Sequence, residues 1–123
     1  MYSKKELVKI LKRNLESETR IINFYINNLE KVNYPKNKEA ITRMVKDSVG
    51  HAGMIAIEIL ELQKDITAKK DKKTIAQALR EETAMKEIYK YEFMKTNEAK
   101  ALKVLNKLIR EETKHEKIVK TLK

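Results

Sequence analysis

Apolar positions recur at helical spacing along almost the whole chain. Taken every seven residues, about two turns of helix, they line up in columns. Val8, Leu15, Ile22 and Leu29 form one column, with Leu11, Glu18, Tyr25 and Val32 beside it. Ile41, Ser48, Ile55 and Leu62 form the next, flanked by Met44, His51 and Glu58. Ile75, Glu82 and Tyr89 follow, with Leu79, Met85 and Phe93 alongside. Near the C-terminus, Leu105, Glu112 and Val119 stand next to Leu108, His115 and Leu122. The pattern predicts four helices. Ser3-Lys4-Lys5-Glu6 has the form of a capping box and starts the first. Asn33-Tyr34-Pro35 stops it. The second begins near Lys36 and stays apolar to about Leu62. The stretch from Gln63 to Asp71 then reads as a connector, with Asp71 as the N-cap of the third helix. Thr96-Asn97 is a short turn, and the fourth helix runs from about Glu98 to the C-terminus.

A shift of 64 residues lays the first half on the second. Glu18 falls on Glu82, His51 on His115, Tyr25 on Tyr89, and Leu15 on Leu79. Asp47 falls on Glu111, Ser48 on Glu112, and Ile55 on Val119. Such internal periodicity marks a repeated unit. The expected architecture is one domain over residues 1–123, built from a hairpin at 3–64, a connector at about 62–71 and a hairpin at 71–123.

Several columns carry a polar residue between apolar neighbours. Glu18, Glu82, Glu112 and His115 all sit this way, and His51 lies between Met44 and Glu58. Glu112 and His115 are three apart and point the same way from one helix face. Burying a carboxylate or an imidazole there costs on the order of several kcal/mol unless something pairs it. Packed together, four such helices can bring Glu18, His51, Glu82, Glu112 and His115 to one level. Carboxylate oxygens and imidazole nitrogens suit iron, manganese or zinc as divalent cations, and a cation offsets the burial cost of the carboxylates. Tyr25 and Tyr89 are expected as core residues whose hydroxyls bond those carboxylates. The methionines Met44, Met54, Met85 and Met94 are expected to fill gaps in the core or at its edge. Glu58 faces the core side, two turns from His51, near the end of the helices.

Composition supports long helices. Two Gly and one Pro leave little material for turns, and 37% of the 123 residues are charged. The absence of cysteine excludes disulfides, thiolate-bound zinc and iron–sulfur clusters from these residues. No apolar run approaches the ~18 residues of a membrane helix, and the N-terminal residues lack the apolar stretch of a signal. A cytoplasmic protein is expected. The net charge of +10 suits contact with nucleic acid. It equally suits a Lys/Glu-rich solvated surface, because the lysines are spread through every helix.

On these residues the chain resembles the ferritin-like superfamily, and within it the rubrerythrin-like di-iron carboxylate proteins without a rubredoxin domain. The resemblance covers essentially the whole chain. It implies a ferritin-like four-helix bundle, with one Glu from each of two helices and Glu-x-x-His from the others. Glu18 and Glu82 match the single carboxylates, Glu112 with His115 matches the fourth-helix motif, and His51 matches the second-helix histidine. Tyr25 and Tyr89 match tyrosines found one heptad beyond the Glu ligands.

The chain departs from the pattern in three places. Ser48 stands where the second-helix Glu would be, so one carboxylate is missing. Asp47 could replace it only if the helix distorted, for which Gly50 and Gly53 give room. Otherwise Asp47, Ser48 and Glu111 are expected to lie around the ligands, not among them. Met85 stands where another Glu is usual, and the Cys-rich electron-transfer domain is lacking, so an electron donor protein is implied.

The implied function is reduction of peroxide or oxygen, or oxidation of iron, with two irons per site or one. Two other functions fit the residues: a metal-free bundle for dimerisation or binding, and a basic, DNA-protecting ferritin-like protein. A homodimer is the expected assembly. Ferritin-like hairpins need a crossover between the second and third helices. A second helix extending to Lys64 ends ~20 Å beyond His51, and the connector reaches only about 20–25 Å. Either that helix stops by about Leu60, or hairpins are exchanged between two chains.

Overall fold

The computed structural model describes residues 1–64 and 72–122. They form four α-helices: α1 (Lys4–Asn28), α2 (Pro35–Gln63), α3 (Lys72–Lys95) and α4 (Ala99–Thr121), with a 3-10 turn at Leu29–Lys31. There is no strand among the described residues. α1 packs on α2 and α3 on α4, giving two compact units, each a helical hairpin. The expected connector falls largely on residues 65–71, and with it Asp71 as N-cap. Both expectations concern residues outside those described.

The helix ends follow their local chemistry. The Ser3 hydroxyl accepts from the Glu6 amide at 3.2 Å, satisfying one of the unpaired donors at the start of α1. We expect Ser3→Ala to cost about 1 kcal/mol, read as a lower midpoint in a urea melt. Pro35 opens α2, where its missing N–H costs nothing, and the Tyr34 carbonyl takes the amides of Asn37 and Lys38. Only Thr96, Asn97 and Glu98 separate α3 from α4. The Glu98 carboxylate accepts from the amides of Lys100 (3.1 Å) and Ala101 (2.7 Å), and so caps α4 with both oxygens.

The expected columns are the faces that pack within each hairpin. Through α1 and the 3-10 turn that follows, every member of both columns is half-buried or buried, from Val8 and Leu11 to Leu29 and Val32. In α2 the column Ile41, Ser48, Ile55, Leu62 is half-buried, whereas Met44, His51 and Glu58 are exposed. In α4 Leu105, Glu112 and Val119 turn inward, while His115 and Leu122 lie toward solvent. Val8 and Ile59 are buried at one end of the first hairpin, and Val119 in the second.

Two expectations are narrowed here. α2 does not stop by about Leu60; it runs unbroken to Gln63. The alternative, exchange of hairpins, turns on residues outside those described. Of the two places expected for the methionines, core or edge, the core is ruled out, since Met44, Met54, Met85 and Met94 are all exposed. Their flexible side chains sit on the outer flank of the columns, where packing within a hairpin does not reach them.

Candidate metal centre

In the second hairpin, Glu82 of α3 lies between Ile75 and Tyr89 on a half-buried stripe, opposite the α4 stripe of Leu105, Glu112 and Val119. The antiparallel pairing brings Glu82 level with Glu112 and His115. His115 Nδ1 is 3.2 Å from Glu82 Oε2 and 3.6 Å from Glu112 Oε1. One ligand atom from each of the three lies within 4.8 Å of the others, a spacing at which they could hold one metal ion.

The electrostatics of the trio show what it lacks. The Glu112 side chain is only 14% exposed, and its Oε2 is buried without a hydrogen-bond partner among the described residues. Its hydrogen bond with Glu82 pushes its pKa above the usual carboxylate value, and burial adds to the rise. The same hydrogen bond holds Glu82 below its usual value, helped by His115. Two carboxyls this close repel one another when both are ionised. A divalent cation would relieve the same repulsion and occupy the orphaned oxygen. The donor set of two carboxylates and an imidazole suits iron, manganese or zinc, and the residues fit such an ion.

The first hairpin holds a sparser version. Glu18 Oε1 is 3.7 Å from His51 Nδ1, and the histidine is 60% exposed. Ser48 occupies the inward place that Glu112 fills in the other half and is half-buried. Asp47 is exposed. α2 is regular through this region, and neither Gly50 nor Gly53 has a positive φ. The distortion that would swing Asp47 inward is therefore not present. Nor do the glycines make room for a neighbour, since a Cβ at either would meet nothing within 4 Å.

The residues expected around the ligands are placed as follows. Tyr25 and Tyr89 are half-buried, but neither hydroxyl bonds a carboxylate among the described residues, contrary to expectation. Tyr25 packs edge-on against Phe24, with ring centroids 5.5 Å apart. Glu111 lies 4.0 Å from Lys107, one turn back on the outer side of α4. Met85 and Glu58 are exposed.

One group was not expected. Glu116, next to His115, accepts from the Thr83 hydroxyl at 2.7 Å and from Lys86 Nζ at 2.8 Å. Thr83 is next to Glu82, and Lys86 is one turn further along α3. All three side chains are at least half-buried, and Lys86 and Thr83 together hold the Glu116 carboxyl below its usual range. The network ties α3 to α4 beside the ligands. Its sequence signal is faint, because Thr83, Lys86 and Glu116 each look like ordinary residues of a solvated face.

The family model for rubrerythrin matches residues 9–123. The chain belongs to the rubrerythrin family. This is a ferritin-like di-iron carboxylate family, and the all-α, four-helix content of the rubrerythrin chain agrees with the ferritin-like fold. Among curated proteins and solved structures, none matches the chain significantly. No helix among the described residues is long and apolar enough to cross a membrane.

Proposed function

We propose that this rubrerythrin-family chain is a non-haem iron protein that reduces peroxide or dioxygen, or oxidises iron, at a carboxylate–histidine centre. The observation that carries the proposal is the meeting of Glu82, Glu112 and His115, with ligand atoms within 4.8 Å and one buried carboxylate oxygen unpartnered. Glu18 and His51 are the ligands proposed for the first hairpin, where they already lie 3.7 Å apart. Bound iron would supply one-electron redox chemistry and a Lewis acid to polarise an oxygen–oxygen bond.

The chain's own residues set the conditions. Glu82 and Glu112 provide two negative charges to balance a divalent cation. His115 adds a neutral nitrogen donor from the half-exposed edge of the hairpin, the side from which a small oxidant can enter. Leu105 and Val119, one heptad either side of Glu112, continue its inward stripe with apolar residues. Few protein donors on one edge leave coordination positions for exogenous ligands. Reducing electrons are proposed to come from a carrier outside these residues, which contain no cysteine.

The test is loading with Fe(II) under anaerobic conditions, using protein prepared without a His tag, followed by desalting and metal analysis. The expected result is about one to two irons per chain. Stoichiometric peroxide should then be consumed, with growth of ferric absorbance in the near ultraviolet. Protein that retains no iron, or bound iron that peroxide leaves ferrous, would refute the proposal.

A further inference from the structure

We infer that the two hairpins are unequal cation sites: the second binds a divalent cation tightly and first, with its ligands positioned by Glu116, and the first hairpin binds one only weakly. This rests on the metal-centre proposal above and adds to it an order of filling.

The first argument is charge. Glu82 and Glu112 together balance a divalent cation, and His115 completes a set of three donors. In the first hairpin Ser48 replaces the second carboxylate, so among the described residues Glu18 is the one carboxylate beside His51. A cation there keeps one uncompensated positive charge. Asp47 does not make up the loss, being exposed on an undistorted helix.

The second argument is preorganisation. Binding is weakened by the cost of ordering the groups that bind, and metal affinity depends on the partners that orient the ligands. The Thr83–Glu116–Lys86 network joins α3 to α4 one residue away from both Glu82 and His115. It is a charge-assisted link at 2.8 Å in half-buried surroundings, stronger than an exposed pair. The repeat places Thr19, Ile22 and Ala52 at the equivalent positions of the first hairpin. Neither Ile22 nor Ala52 can form such a link, and the Thr19 hydroxyl donates to the Leu15 carbonyl of its own helix. The contact distances follow the same order: 3.2 Å between carboxylate and imidazole in the second hairpin, 3.7 Å in the first.

The experiment is a titration of the full chain with Co(II), followed by visible absorbance and by calorimetry. The wild type should show one tight ion before any weaker one. His115→Ala should abolish the tight phase, and His51→Ala should leave it unchanged. Glu116→Gln should weaken it by roughly 10–100-fold, the usual effect of losing a group that orients a ligand, at unchanged helix content. Lys86→Met removes the same ion pair from the other helix and should do likewise, whereas Lys86→Arg should retain tight binding. Ser48→Glu should strengthen the weak phase. Equal effects of His51→Ala and His115→Ala, or tight binding that survives both Glu116→Gln and Lys86→Met, would overturn this inference alone. A wild-type chain that binds no Co(II) would overturn the metal-centre proposal, and this inference with it.

Discussion

Replacing Glu112 by methionine should make the metal-free protein more stable and deprive it of its tightest cation. Glu112 is mostly buried, its Oε2 has no partner, and its carboxyl is forced against that of Glu82. An unsatisfied buried polar group costs about 1–3 kcal/mol. An apolar side chain of similar length removes that cost and continues the apolar column from Leu105 to Val119. Glu82 loses its hydrogen bond with Glu112 but keeps His115 at 3.2 Å, so its carboxylate stays paired. We expect a gain of about 1–3 kcal/mol in urea unfolding with EDTA present, together with loss of the tight phase of Co(II) binding. Stability traded against function in this way is the usual mark of a strained site. A metal-free variant less stable than the wild type would show that Glu112 is well paired and that no vacancy for a cation exists.

Ile59→Ala should be among the most damaging changes that leave the site untouched. Ile59 is 6% exposed, and Val8, Ile59 and Val119 are the buried apolar residues among those described. Truncating a buried isoleucine removes its transfer free energy and leaves a cavity, together about 2–5 kcal/mol. Native proteins are stable by only about 5–15 kcal/mol, so a hairpin with so little interior loses a large share. The readout is the urea midpoint at constant slope, with helix content followed by circular dichroism. A loss below about 1 kcal/mol would be too small for the removal of a buried isoleucine side chain.

Much of this was legible in the sequence because helical periodicity and the repeat report the same faces twice. The columns through Leu11, Glu18 and Tyr25 and through Leu105, Glu112 and Val119 turn inward as the spacing predicts. The shift of 64 residues correctly aligned each carboxylate–histidine pair. The outward tilt of His51 and His115 was not legible, because a heptad column does not say which of two adjacent columns is central. Nor does it decide between core and edge for Met44 and Met85, which lie on the flank beside the packed stripe. The absence of a Tyr25 or Tyr89 bond to a carboxylate reflects side-chain geometry that spacing cannot give. The Glu116 network is not legible either, because charged residues on a Lys/Glu-rich chain have no distinguishing pattern. Its one trace was a difference between the repeats, with Ile22 and Ala52 in one half where Lys86 and Glu116 stand in the other.

The three-residue turn between α3 and α4 has a consequence for assembly. It brings together groups 33 positions apart along the chain, Glu82 and His115, so the trio forms within a single hairpin. Closing such a hairpin needs only its own two helices and the turn between them. An ion captured at that point would add its binding energy to the hairpin itself, fastening one half of the molecule before the other is finished.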